Sequence, residues 1–161
     1  MNSNWSDYFY PLLISNVIAL AILVLAWLRP AIARLVIGLL FSGAGLFNTY
    51  TALVNPEAYL NYADLAWWPL YRNFINGLFA TNIAGFILAI ALGQLLIGLG
   101  FLTGWGNLFR IAVAGAVLFF LGILPLGVGS AFPFPLILIA AVVLVYLNWR
   151  AAGDAPAPGG V

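Results

Sequence analysis

The chain contains no histidine and no cysteine. Without histidine it lacks the commonest metal ligand, the usual haem axial ligand and the usual proton shuttle near neutral pH. Without cysteine it forms no disulfide and offers no thiolate as nucleophile or metal ligand. No metal site, no cofactor and no catalytic residue are therefore expected. Lysine is missing as well, so all five cations are arginines. Charged residues make up only 6% of the chain, against about 25% in soluble domains. A net charge of +1 provides no field for nucleic acid.

What remains is apolar. Of 161 residues, 65% are hydrophobic and 16% aromatic. A soluble fold this small has too much surface relative to volume to hide that much apolar area. The bilayer is the expected solvent, with Trp and Tyr at its two interfaces. Five runs are long enough to cross about 30 Å of hydrocarbon as helices. They cover residues 10–28, 31–54, 82–102, 108–126 and 134–149. The first lacks the basic residues that open a signal peptide, so it is read as a retained helix. Arg29-Pro30 and Asn55-Pro56 end the first two runs, because the residue before Pro avoids helical geometry. Gly104, Trp105 and Gly106 mark a tight turn. The stretch 151–161 is rich in Ala, Gly and Pro and is expected to be disordered. The expected architecture is a single all-α polytopic transmembrane bundle of five spans with an interfacial helical loop over residues 55–81.

That loop is the least hydrophobic part of the chain. It mixes Glu57, Asp64 and Arg72 with Tyr59, Tyr62, Trp67, Trp68 and Tyr71, a blend suited to the headgroup layer. One or two short surface helices are expected, broken at Pro69, with Trp67, Leu70, Phe74 and Leu78 turned to the membrane. Cytoplasmic loops collect basic residues. With five spans, Arg29, Arg34, Arg110 and Arg150 share one side, and only Arg72 lies opposite, with Asp7, Glu57 and Asp64. The N-terminus and the aromatic loop are accordingly placed outside and the C-terminus in the cytoplasm, in a prokaryotic inner membrane.

Three constellations are candidates for function or packing. Gly38, Ser42, Gly43 and Gly45, with Gly93, Gly98, Gly100 and Gly104, let helix backbones approach closely. They read as packing within one chain or as a dimer face. Asn48 and Gln94, and Ser15 and Asn16 in the first run, are polar groups inside apolar spans and need partners on other helices. They are either interhelical glue or the lining of a ligand site. Glu57, Asp64 and Arg72, with Trp67 and Trp68, form a headgroup-level cluster, read as a salt-bridged surface or as acid–base or quinone-binding groups. No span carries a carboxylate at mid-bilayer depth, which ion-coupled transporters usually need.

Arg34, Gly38, Phe41 and Gly45 follow one another as in the opening helix of DoxX-like membrane proteins, which this stretch resembles. The segment Val54 to Glu57 and the amphipathic stretch after it are similar too, as is Gly98 to Thr103 followed by Arg110 and Gly115. The resemblance covers about residues 32–124. It implies a four-helix core and a role beside a quinone-linked or redox enzyme. Here one span is added at the N-terminal end, and Asn48 stands where many members carry a Lys.

The leading expectation is thus a non-catalytic membrane subunit or accessory protein of a respiratory or other membrane complex, with the bilayer and other membrane subunits as partners. The alternative is an autonomous binder or carrier of a lipid, a quinone or another small molecule. A third reading is a membrane enzyme built on Glu57, Asp64 and Arg72.

Overall fold

A computed structural model describes residues 5–154. Seven α-helices and no strand occur among the described residues: α1 (Trp5–Leu28), α2 (Pro30–Val54), α3 (Tyr62–Leu65), α4 (Pro69–Asn76), α5 (Ile83–Thr103), α6 (Gly106–Ile123) and α7 (Phe134–Asp154). Short 3-10 turns cover Pro56–Asn61, Phe79–Thr81 and Leu124–Ser130. The helices α1, α2, α5, α6 and α7 are each long and apolar enough to cross a membrane. The chain is an all-α integral membrane bundle of five spans.

Long helices form here because apolar runs satisfy every backbone polar group internally, as lipid requires. Their ends are chemically marked. Pro30 and Pro69 occupy the first turns of α2 and α4, where a missing N–H costs nothing. The Asn82 side chain accepts a hydrogen bond from the Gly85 N–H and caps α5. The other end of α5 closes on Gly104, which is left-handed at φ +66°. A Cβ there would lie 2.6 Å from the Arg34 guanidinium, so the site needs glycine for two reasons. Arg34 donates to the Phe101 and Leu102 carbonyls, the latter at 3.0 Å. A half-buried cation is thereby placed at the negative end of the α5 dipole. The helix α7 runs on through 151–154, where disorder was expected; the rest of that stretch lies outside the described residues.

Four helices close a ring: α2 packs on α5, α5 on α6, α6 on α7, and α7 back on α2. The first helix lies outside it, against α7 and α2. Among the described side chains of α1, only Ala19, Ile22 and Ala26 are buried, while Val17, Val24 and Trp27 face outward. The core is aromatic. Phe41 meets Phe120 at 5.3 Å between ring centroids, Phe101 meets Phe109 at 5.2 Å, and Phe109 meets Trp149 at 5.0 Å. Arg110 sits 5.7 Å from the Trp149 ring, a cation–π contact.

The small residues pack inside the chain. A Cβ on Gly38 would press on Leu102, one on Gly45 on Leu95 and the Ala91 carbonyl, and one on Gly98 on Ser42. This seam brings α2 and α5 together. Gly100 performs the same service for α6, lying against Ala112, and Gly115 meets Ile97. Gly104 belongs to the helix cap and not to a packing face, and Gly43 and Gly93 have nothing within 4 Å.

One end of the bundle carries the α1–α2 and α5–α6 turns with Arg29, Arg34, Arg110 and Arg150; it is called the arginine end below. The other end is covered by a cap made from residues 55–82 and 124–133. The two cap segments are tied by the Trp67 N–H, which donates to the Pro125 carbonyl at 3.1 Å. The Trp67 ring lies 4.8 Å from Phe132 and over Gly127, where a Cβ would approach it to 2.6 Å. Gly127 also sits at φ +59°, a conformation costly for other residues.

Candidate functional site

Beneath the cap lies a cavity of about 420 Å³, within the size range of small-molecule sites. Its walls come from α5 (Ile87, Ile90), α6 (Phe119, Gly122, Ile123) and the cap (Tyr59, Tyr62, Tyr71, Phe74). The reason for its position is the unequal packing of α5 and α6. Toward the arginine end Gly100, and at mid-bundle Gly115, let the two helices touch. Toward the cap, the bulky residues Ile90, Phe119 and Ile123 all border the cavity. Ile90, Gly122 and Phe74 are also exposed on the outer surface of the bundle, so the cavity adjoins the lipid-facing side at this depth.

Its polar groups are few and mostly committed. The Tyr59 hydroxyl donates to Asn48 Oδ1 at 2.7 Å, and Asn48 Nδ2 donates to Gln94 Oε1 at 2.7 Å. This chain of three runs from the cavity wall into the α2–α5 seam, where Gln94 is 3% exposed. The Tyr71 hydroxyl donates to the Gly122 carbonyl at 2.6 Å and pins α4 to α6. The Ser130 hydroxyl donates to the Gly127 carbonyl at 3.0 Å. Tyr62 stacks on Tyr59 at 6.1 Å and covers Gly129, where a Cβ would meet its ring at 2.7 Å. Burial raises the phenol pKa of Tyr62 above its ordinary value. Tyr59 is raised too, first by burial, with a nearby Thr51 hydroxyl pulling the other way and Tyr62 adding to the rise. Both stay neutral at physiological pH. No charged side chain lines the cavity among the described residues.

The candidates read from the sequence are thus divided. Asn48 borders the cavity, and Gln94 stands behind it as its partner. Glu57, Asp64 and Trp68 are exposed and lie outside the cavity wall. Trp67 docks on the second cap segment, although half of its surface stays exposed. Arg72 was expected to pair with Asp64 or Glu57. It donates instead to the Ala63 carbonyl at 3.1 Å and to the Ala66 carbonyl at 3.4 Å. The orphan carbonyls at the end of the short helix α3 attract the guanidinium more effectively than a solvated surface carboxylate does. Asn16 donates to the Leu12 and Ala131 carbonyls, both at 2.9 Å, which ties α1 to the second cap segment.

Sequence reasoning singled out the charges of the loop and passed over its tyrosines as a chemical group. It also named no candidate in the uncharged stretch 126–133. That stretch supplies Leu126, Gly129 and Ser130 to the cavity. The available signal was the pairing of a tyrosine-rich loop with a glycine-rich one, since large rings need small residues to lie against.

Fold and cavity together define an integral membrane helix bundle with an uncharged, aromatic chamber at one end. No family model matches this chain, and neither a curated protein nor a solved structure does.

Proposed function

We propose that this chain is a non-catalytic membrane protein that holds a small, neutral, amphipathic molecule of the lipid or quinone type in the cavity beneath its cap. The observation that carries the reading is the chamber itself: about 420 Å³, bordered by aromatic and aliphatic side chains with a few fixed polar groups and no charge. Ligand sites are commonly built this way. A charged ligand would lose its hydration there without gaining a counter-ion. The test is extraction and quantification of neutral lipids and quinones from protein purified in a mild detergent. Gly122→Leu is the control, because Gly122 borders the cavity and an added Cβ meets nothing within 4 Å. A stoichiometric ligand that is lost in Gly122→Leu is the expected result. Protein that carries no such ligand, or equal loading of both forms, would overturn the reading.

A second reading, compatible with the first, is an accessory subunit of a respiratory or other redox complex. Trp68, Leu70 and Leu78 are strongly exposed on the cap, and this surface favours docking to another membrane polypeptide. The same purification tests it through a stoichiometric protein partner. A ring of four helices with α1 outside is also what kinship with DoxX-like proteins would require, and it supports that relationship. We place the arginine end on the cytoplasmic side of a prokaryotic inner membrane, since Arg72 alone lies at the other end. With no native cysteine to interfere, Asn61→Cys should react with an impermeant thiol reagent from outside and Asn107→Cys should not; the reverse pattern sinks this orientation.

A further inference from the structure

We infer that Tyr62 is the residue that selects the ligand, by donating its hydroxyl proton to a carbonyl-type acceptor on a neutral ring-bearing molecule. The inference rests on the cavity-binding reading above and names the chemistry that the cavity would recognise.

Hydrogen-bonding capacity distinguishes Tyr62 from the other hydroxyls of the cavity. Four hydroxyls border the cavity, those of Tyr59, Tyr62, Tyr71 and Ser130. Three have spent their single proton: Tyr59 on Asn48, Tyr71 on the Gly122 carbonyl and Ser130 on the Gly127 carbonyl. A hydroxyl has one proton to donate, so these three meet a ligand only as acceptors. Asn48 has one N–H committed to Gln94 and its oxygen occupied by Tyr59; its second N–H is the other side-chain donor at the cavity wall, on α2 and not on the cap. Among the described residues, Tyr62 donates to no other group, and burial is the sole influence on its titration. The half-buried Tyr62 hydroxyl stays accessible, so a ligand acceptor can take the place of water on it. The phenol remains protonated, and so a donor, across the physiological range.

The surroundings of Tyr62 suit a flat ligand. Its ring is held between the Tyr59 ring and the Gly129 backbone, which fixes the hydroxyl without help from a hydrogen bond. Phe74, Phe79 and Phe119 border the same space and offer faces for offset or edge-on contact with a ring. Tyr62 lies in α3, at the cap end, whereas Ile90 lies deeper along α5. A ligand would therefore place its carbonyl near the headgroup level and its apolar body toward the bilayer centre.

The test uses purified protein in detergent and two probes of nearly the same shape, 2-acetylnaphthalene and 2-ethylnaphthalene. Only the first has an acceptor. The native chain is expected to bind the ketone about tenfold more tightly, the value of one good hydrogen bond. Tyr62→Phe keeps the ring, its stacking and its contact with Gly129. It should bring the ratio to near one and leave affinity for the hydrocarbon unchanged. Tyr71→Phe, whose proton is already spent, should retain the native preference. The carbonyl stretch of the bound ketone should move to lower frequency in the native protein and in Tyr71→Phe, and not in Tyr62→Phe. If the native chain binds both probes equally, or Tyr62→Phe keeps the preference and the frequency shift, the assignment of Tyr62 is wrong while the cavity still binds ligands. If neither probe binds, cavity binding fails, and the assignment fails with it.

Discussion

Replacing Asn48 by Leu tests whether the polar chain in the α2–α5 seam is a coupled unit. The substitution removes two hydrogen bonds, from Tyr59 and to Gln94. The two losses differ in kind. Tyr59 borders the cavity and belongs to the cap, so its hydroxyl can find water. Gln94 is only 3% exposed and has no such exit. Interhelical hydrogen bonds in membrane bundles average about 0.6 kcal/mol and reach about 1.7. A stranded buried acceptor costs about 1–3 kcal/mol. The expected loss for Asn48→Leu is therefore about 2 kcal/mol, roughly a thirtyfold fall in the folded-to-unfolded ratio. Gln94→Leu should cost about 1 kcal/mol, because Asn48 borders the cavity and can be reached by water there. Removing both partners together leaves no buried orphan and is close to neutral by the same reasoning. The double variant should thus be more stable than Asn48→Leu alone, by about 1 kcal/mol or more. Unfolding titrations in mixed micelles of a mild detergent and sodium dodecyl sulfate measure all four corners of the cycle. If the two single losses simply add in the double variant, the bond carries no coupling and the reasoning is refuted.

Gly98→Ile should destabilise the bundle by about 1–3 kcal/mol by overpacking, because a Cβ there meets Ser42 and lies 3.0 Å from the Gly38 carbonyl; Gly43→Ile, with nothing within 4 Å, should change the same titration by less than about 0.5 kcal/mol. Arg34→Met uncaps the α5 carbonyls of Phe101 and Leu102, and should cost about 1.5–3 kcal/mol, as loss of a charged hydrogen bond does; amide exchange should quicken in the last turn of α5 and not at its Asn82 end. Tyr62 has its pKa raised by burial, so its neutral form is favoured in the folded state. Its contribution is then complete below the ordinary phenol value of about 10 and is lost as pH rises from there through the raised value. Alkaline unfolding should begin in that window and shift upward in Tyr62→Phe; an unchanged alkaline midpoint would contradict the burial of this phenol.

Much of the architecture was legible because lipid imposes strict rules. A backbone in hydrocarbon must be helical or part of a closed barrel, and a helix must be about 20 residues long to cross. Apolar run length therefore reports directly on helix number, and Pro30, Pro69 and Gly104 mark ends by local geometry alone. The pairing of Asn48 with Gln94 was legible in part. Each had to find a polar partner on another helix, yet nothing in one dimension said that they would find each other, or that Tyr59 would join them.

The charged loop shows where local reasoning stops. Glu57, Asp64 and Arg72 have spacings that fit one helical face, so pairing among them was the economical expectation. Breaks at Ala66 and at Trp68-Pro69 divide the segment into α3 and α4, and the fold of one against the other hands Arg72 to the backbone of α3. An exposed ion pair stabilises by at most about 1 kcal/mol, too little to dictate that arrangement.

The sequence by itself determined the membrane class, the five spans, the arginine-rich end and the exclusion of histidine and cysteine chemistry. Each depends on composition, or on regularities no longer than one helix. Only tertiary structure decided which helices form the ring, why α1 stays outside it, and where the cavity lies. Gly100 near the arginine end and Gly115 at mid-bundle draw α5 and α6 together, while Ile90, Phe119 and Ile123 border open space toward the cap. Such a void depends on the difference between contacts far apart in the chain. Residues 59–74, 87–90 and 119–130 become its neighbours only after the helices have packed.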